Sequence, residues 1–428
     1  MRKWYKNLIL SMLLAIAAAA VSGQALAQAS ECGKERKITT GTLTEPVYKK
    51  LNDIYEDVGN ELYDVSYDKL VIMIRRAKGK YLKATLHQMM AQVEWARSNY
   101  DSALTNFEKA VDLDALPNNI HFSLMYQIAQ LYYMQERYDD ALDKLDLWMC
   151  KVPPEKIKPA TYVLKASIYA QKQDWKNVIP AIEAAISMQL GLDKKPKEAW
   201  FQLKLASHFE LEQFPKAGET LETMIQYWPD KKDYWIQLSQ IYYKLKKDDE
   251  ALSVIALAYR RDMLDKQTDI MYLSNLYSNR DVPYKAAAVL QKGLEDGIVK
   301  TDTKHWTMVG DAWYAAEEME NALAGFEQAG KVSDKGDIDL RRGYILVDME
   351  RWEPAIEALE AAIEKGGFND RKTGEAYVLL GMSYFNLENY SKASTAWGRA
   401  GKYSKSKKSA QQWMNHMREE RARKLASN

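Results

Sequence analysis

The sequence predicts an all-α fold, a right-handed α-solenoid of about ten stacked helix hairpins closed by a C-terminal capping helix. Two observations carry that expectation. A marker for the opening of a second helix recurs at Leu70, Ala103, Ala141, Val178, Ala217, Ala251, Ala286, Ala322, Ala355 and Ala393, with separations of 33 to 39 residues. Aromatic and large apolar residues flank each marker at fixed offsets, so each unit repeats one helix-pair pattern that cannot bury its apolar face alone.

The chain opens with Arg2, Lys3 and Lys6, then an apolar run from Leu8 to Val21 and the small-residue exit Ala25-Leu26-Ala27. That is the layout of a cleavable export signal, and the run is shorter than the roughly 20 apolar residues of a membrane span. Residues 1–27 are therefore expected to be removed and the protein to work in the periplasm, starting at Gln28. Glu31 directly before Cys32 does not fit a lipid-attachment site. Residues 28–45 are polar and read as a flexible extension unless Cys32 pins it. Cys32 and Cys150 are a possible disulfide in an oxidising compartment, the alternative being two unpaired thiols. With 60 basic and 59 acidic residues interspersed, the formal charge is +1, and it becomes −2 once the leader's three cations are gone. Such a balance provides no field to hold a polyanion, which argues against nucleic acid as a partner.

The clearest unit runs Trp306-x2-Val309-Gly310-x2-Trp313, then Met319 and Ala322-x3-Phe326-x2-Ala329. The frame recurs at Tyr377, Leu380, Gly381, Tyr384, Tyr390, Ala393, Trp397 and Ala400, and at Met125, Ile128, Ala129, Tyr132, Tyr138, Ala141, Leu145 and Trp148. It resembles the tetratricopeptide (TPR) unit of 34 residues, with one to five extra residues in several inter-repeat turns. The steric logic is simple. Antiparallel helices approach closely where small residues meet, and flanking rings fill the remaining grooves. The array is expected over residues 46–400. Residues 401–428 form a basic capping helix whose apolar side is Ala410, Trp413, Met414 and Met417. Leu70 is the weakest marker, so the first repeat is expected to be irregular.

No catalytic pattern accompanies the repeats. His87, His121, His208, His305 and His416 are the only histidines, and none stands at metal-ligand spacing from another histidine or a cysteine. No phosphate-cradling glycine loop occurs, and Gly381-Met382-Ser383 lacks the second glycine of a nucleophile elbow and lies inside a helical frame. The reading is a non-enzyme without metal or cofactor.

A binding surface remains. Counting from the frame puts Trp95, Tyr133, His208, Tyr243, Tyr314 and Phe385 at one equivalent position on a concave groove lined by the first helices. Gln88, Gln92, Tyr126, Gln130, Phe201, Gln240, Lys244, Asn275, Asp311 and Tyr344 fall nearby. Tyrosine and amide side chains combine rigid apolar area with adaptable hydrogen bonding, which suits an extended peptide or a partner helix. The alternative for each ring is packing on its neighbours along the inner wall. The lysine, asparagine and arginine set with which some TPR domains clamp a C-terminal carboxylate is not matched here. The basic tail, residues 399–424, reads either as a solvated helix face or as a contact for acidic protein or anionic lipid.

Three stretches go further. Pro46-Val47-Tyr48-Lys49-Lys50-Leu51, the run from Glu364 to Gly367 leading into Gly374 to Met382, and Ala410-Gln411-Gln412-Trp413-Met414 resemble periplasmic TPR proteins that accompany TonB systems in Gram-negative marine bacteria. The resemblance implies an accessory role in nutrient uptake, iron included, with periplasmic segments of TonB, ExbB or ExbD as partners. It carries no set of functional residues that transfers position by position. The competing expectation is a holdase or assembly factor for envelope proteins.

Overall fold

The computed structural model describes residues 36, 38 and 41–427, with side chains through 424; the expected export signal over residues 1–27 and Cys32 lie outside the described residues. Among these residues the chain forms 21 α-helices, one short 3-10 turn and no strand. Two compact units divide it, residues 1–220 and 221–428. The first holds the hairpins α1–α2 (Glu45–Gly59, Tyr63–Arg76), α3–α4 (Lys80–Ala96, Tyr100–Asp112), α5–α6 (Asn118–Met134, Tyr138–Lys151) and α7–α8 (Pro159–Gln171, Trp175–Leu190). It also holds α9 (Glu198–Glu210) and the start of α10 (Phe214–Tyr227). The second contains the rest of α10, then α11–α12 (Lys232–Lys244, Asp248–Arg260), α13–α14 (Gln267–Asn279, Pro283–Glu295) and α15–α16 (Thr303–Ala315, Met319–Lys331). After these come α17–α18 (Asp337–Asp348, Trp352–Lys365), α19–α20 (Asp370–Asn386, Tyr390–Ala400) and the single helix α21 (Lys407–Ser427).

One turn is used in every hairpin. Each contains a non-glycine residue in the left-handed region: Glu61, Ser98, Glu136, Gln173 and Glu212 in the first unit, Lys246, Asp281, Glu317, Glu350 and Glu388 in the second. The following amide then reaches back five residues to an otherwise unpaired helix carbonyl. Asn99 N–H donates to the Glu94 carbonyl at 2.8 Å and Lys247 N–H to that of Tyr242 at 2.9 Å. This closure satisfies the carbonyls that a helix end leaves orphaned and offsets the left-handed backbone, which costs about 1–2 kcal/mol for an L-residue.

Because the turn is constant, everything else can be counted from it. Five residues after the left-handed residue stands a fully buried side chain, small in nine cases: Ser66, Ala103, Ala141, Ala217, Ala251, Ala286, Ala322, Ala355 and Ala393, with Val178 as the tenth. The expected first marker, Leu70, is thereby corrected to Ser66. Leu70 is itself buried but lies one helical turn later, and the closest approach of α1 and α2 admits only the smaller side chain. Seven residues before the turn the first helix is usually small as well. Ser239 donates its hydroxyl to the Ala251 carbonyl at 2.7 Å, and Ser274 donates to that of Ala286 at 3.0 Å. At Gly310 a Cβ would come within 2.5 Å of the Phe326 ring.

Neighbouring hairpins are tied four residues before the turn. There the Tyr132 hydroxyl donates to Glu108, Tyr242 to Glu222, Tyr384 to Glu360 at 2.5 Å, and Trp313 Nε1 to Gln291 Oε1 at 2.6 Å. Burial, reinforced by the carboxylate, pushes the Tyr242 and Tyr384 phenols up to about 12, so these hydroxyls remain donors. Ahead of α1, Arg36 pairs with Asp114 and donates through Nη1 to the Leu116 carbonyl at 2.7 Å and to Asn118 Oδ1 at 3.0 Å. At the far end, Trp413 of α21 stacks on the fully buried Trp397 at 5.8 Å and 15°.

Candidate functional site

In the first unit, four of the predicted groove residues come together. Gln92 and Trp95 on α3 and Gln130 and Tyr133 on α5 line one cavity of about 630 Å³, joined by Phe107, Gln127, Met134 and Leu164. Trp95 meets Tyr100 edge-on at 5.3 Å, and Tyr133 meets Tyr138 at a tilt at 6.1 Å, so each ring is steadied by the residue that opens the next helix. A second cavity of about 660 Å³ shares Gln127 and Gln130 and adds Tyr126 above an apolar floor that includes Phe122, Trp148 and Val152. The Tyr126 ring lies 4.9 Å from Trp148, and burial pushes its phenol up. Gln88 is half-buried and lines neither cavity.

Two predicted residues of this unit do not face solvent. Phe201 is 4% exposed and His208 2%. His208 stands four residues before Glu212, the place that Tyr132 occupies in its own hairpin, and so belongs to the core; its Nδ1 lies 3.0 Å from Gln213 Oε1 and burial lowers its pKa. Phe201 likewise matches the buried Trp235, eleven residues before the turn. Both were placed one residue early, and one residue turns a helix by about 100°. The residues on the exposed face are Gln202 and Phe209, the latter 37% exposed and supported by Phe214 at 6.4 Å.

In the second unit Gln240, Tyr243, Lys244, Asn275, Asp311, Tyr314 and Tyr344 are exposed on the first helices of their hairpins. Asp311 pairs with Arg341, whose guanidinium also lies 5.9 Å over Tyr314, and the Tyr344 hydroxyl donates to Glu375 Oε2 at 2.8 Å. Phe385 differs. It is enclosed by Tyr390, Trp397, Trp413 and His416 at 5.6 to 6.1 Å, because α21 lies over the face that the earlier repeats leave open. It is part of the capping cluster and not of a free surface.

The sequence reading missed Gln127, Met134 and Tyr55. Tyr55 stands six residues before Glu61, the offset shared by Gln92 and Gln130, and is 51% exposed. Counting from the turn would have found it. Cys150 is disulfide-bonded. Among the described residues no group of three or more His, Cys, Asp and Glu side chains could hold a metal ion, and no helix is long and apolar enough to cross a membrane.

Tetratricopeptide repeat models match residues 73–146, 205–265 and 340–407. The chain is 28% identical over 150 residues to sperm-associated antigen 1 of Mus musculus, a match that covers 35% of this chain and 16% of that protein. Among solved structures it is similar to a tetratricopeptide repeat protein from Parabacteroides merdae at 11% identity and a TM-score of 0.35, covering 68% of this chain and 94% of that one. It is also similar to YrrB, described as a TPR protein with an unusual peptide-binding site, at 13% identity and a TM-score of 0.33, covering 47% and 94%.

Proposed function

We propose that this chain, which carries tetratricopeptide repeats, is a non-catalytic scaffold that holds an extended segment of another protein on the face built by the first helices. The observation that carries this reading is the cavity between α3 and α5. There two steadied rings, Trp95 and Tyr133, stand beside three amides, Gln92, Gln127 and Gln130. A side-chain amide both donates and accepts, so it can pair with a peptide backbone whatever the side chains are. The rings supply apolar area at small entropic cost.

The finer reading is a periplasmic accessory of TonB-dependent nutrient uptake, with TonB, ExbB or ExbD segments as the occupants. Its support is the leader pattern of residues 1–27 and the resemblance of the stretches around Leu51, Glu364 and Trp413. A photo-crosslinker placed at Gln127 in cells tests it. Recovery of TonB, ExbB or ExbD supports the accessory role. A spread of unfolded envelope proteins would replace it with the holdase reading, and no adduct at all would count against this face as the binding surface.

A further inference from the structure

Residues 399–424 contain nine basic side chains against two acids, +7 in a chain whose total is +1, which leaves −6 for the rest. Four of the nine are occupied. Lys424 pairs with Glu388 at 2.7 Å and Arg423 with Glu420 at 3.4 Å, while the guanidiniums of Arg421 and Arg399 lie over Tyr390 and Tyr377. The other five, Lys402, Lys405, Lys407, Lys408 and Arg418, are exposed and have no partner among the described residues.

Fold stability does not account for them. Lys407 and Lys408 begin α21, where the helix dipole disfavours cations, and no acid stands in that first turn. Helices α6 and α12 do the opposite, opening on Asp139 and Asp140 and on Asp248, Asp249 and Glu250, whereas α3, α8 and α15 also open without an acid and with a lysine in the first turn; what sets α21 apart is two adjacent lysines there. Helix α21 is held through Ala410, Trp413, Met414 and Met417, and Lys402, Lys405, Lys407 and Lys408 around its start remain exposed. Four of the five unpaired cations are lysines, compact charges without the planar fork that reads a single carboxylate. That composition suits a diffuse layer of negative charge better than one shaped acidic site, and the −6 balance elsewhere would orient the molecule with this end toward such a layer.

We propose that the α20–α21 junction docks on an anionic phospholipid surface. The test is co-sedimentation of the full chain with vesicles of phosphatidylcholine alone and of phosphatidylcholine mixed with phosphatidylglycerol, at low and at raised salt. Binding is expected only to the anionic vesicles and is expected to fall with salt. Combined Lys402→Gln, Lys405→Gln, Lys407→Gln and Lys408→Gln should weaken it by about 1,000-fold, from the usual contribution of about 1 kcal/mol for each lysine near an anionic bilayer. The corresponding four Lys→Arg changes should preserve it, which guards against a loss caused by misfolding. Equal binding to neutral vesicles, no binding to anionic ones, or full binding by the glutamine variant overturns the proposal. Capture of polyglutamate without capture of vesicles also overturns it, in favour of an acidic protein partner.

Discussion

At the scale of single residues, two glycines make opposite predictions. A Cβ at Gly310 meets the ring of Phe326, which is fully buried and has no room to withdraw. Gly310→Ala should therefore destabilise by about 1–3 kcal/mol, the usual cost of overpacking. Gly398, in the last turn of α20, has nothing within 4 Å of the same atom. Gly398→Ala should stabilise by about 0.5–1 kcal/mol through helix propensity alone. Urea denaturation of the two variants checks both signs together. His121 supplies a third residue-scale outcome. Burial first, and the nearby Arg36 second, lower its imidazole to about 4 from an ordinary value near 6.5. The unfolded chain thus binds a proton that the folded chain refuses, so this contribution to stability is complete above about pH 6.5 and is lost as pH falls toward 4. Between pH 7 and pH 5 the loss through this ring is about 2 kcal/mol. His121→Gln should flatten that part of the pH dependence of the urea midpoint; identical slopes in both proteins would sink the assignment.

At the scale of elements, the capping helix is the part whose removal is most informative. Trp413 stacks on the fully buried Trp397, and Phe385 is covered by Trp413 and His416. Ending the chain at Ser406 should leave α19 and α20 folded but frayed, read as faster amide exchange there with the remaining helices unchanged. The same element explains where sequence reasoning reached its limit. The hairpins and nearly all of their markers were legible, because a small residue between antiparallel helices is a steric demand that composition alone exposes. That α21 covers Phe385 was not, since a repeat frame describes one unit and says nothing of what lies over the last. The errors at Phe201 and His208 are of another kind, and were avoidable. Trp95, Tyr133, Tyr243, Tyr314 and Phe385 each precede their marker by eight residues, and eight before Ala217 is Phe209. Anchoring the count on the buried alanine, and not on the nearest polar aromatic, recovers the exposed face.

At the scale of the whole molecule, the groove reading predicts a separation of binding from folding. Tyr133 and Tyr243 face outward from first helices in the two units, so Tyr133→Ala with Tyr243→Ala should keep the helical circular dichroism and lose at least part of partner capture. Capture at the original level with both rings gone would move the binding surface elsewhere.

Stability should be equally divisible. Within each unit the hairpins bury their apolar faces against their sequence neighbours, and the buried clusters are separate: one gathers Leu104, Ile128 and Leu145, another Leu273, Leu290 and Phe326, and a third Leu340, Leu380 and Trp397. In such an array a lesion is felt by adjacent hairpins and fades along the chain, in contrast to a globular domain that fails as one. Gly381 offers the sharpest lesion, because a Cβ there would run into the indole of the fully buried Trp397. Gly381→Val adds two further methyl groups to that clash in a helix interior. Hydrogen exchange followed by mass spectrometry should then show protection lost across α19, α20 and α21, reduced in α17 and α18, and unchanged in α5 and α6. A uniform loss along all 21 helices would mean that the chain unfolds as a single cooperative body, and the nearest-neighbour account of its stability would have to be abandoned.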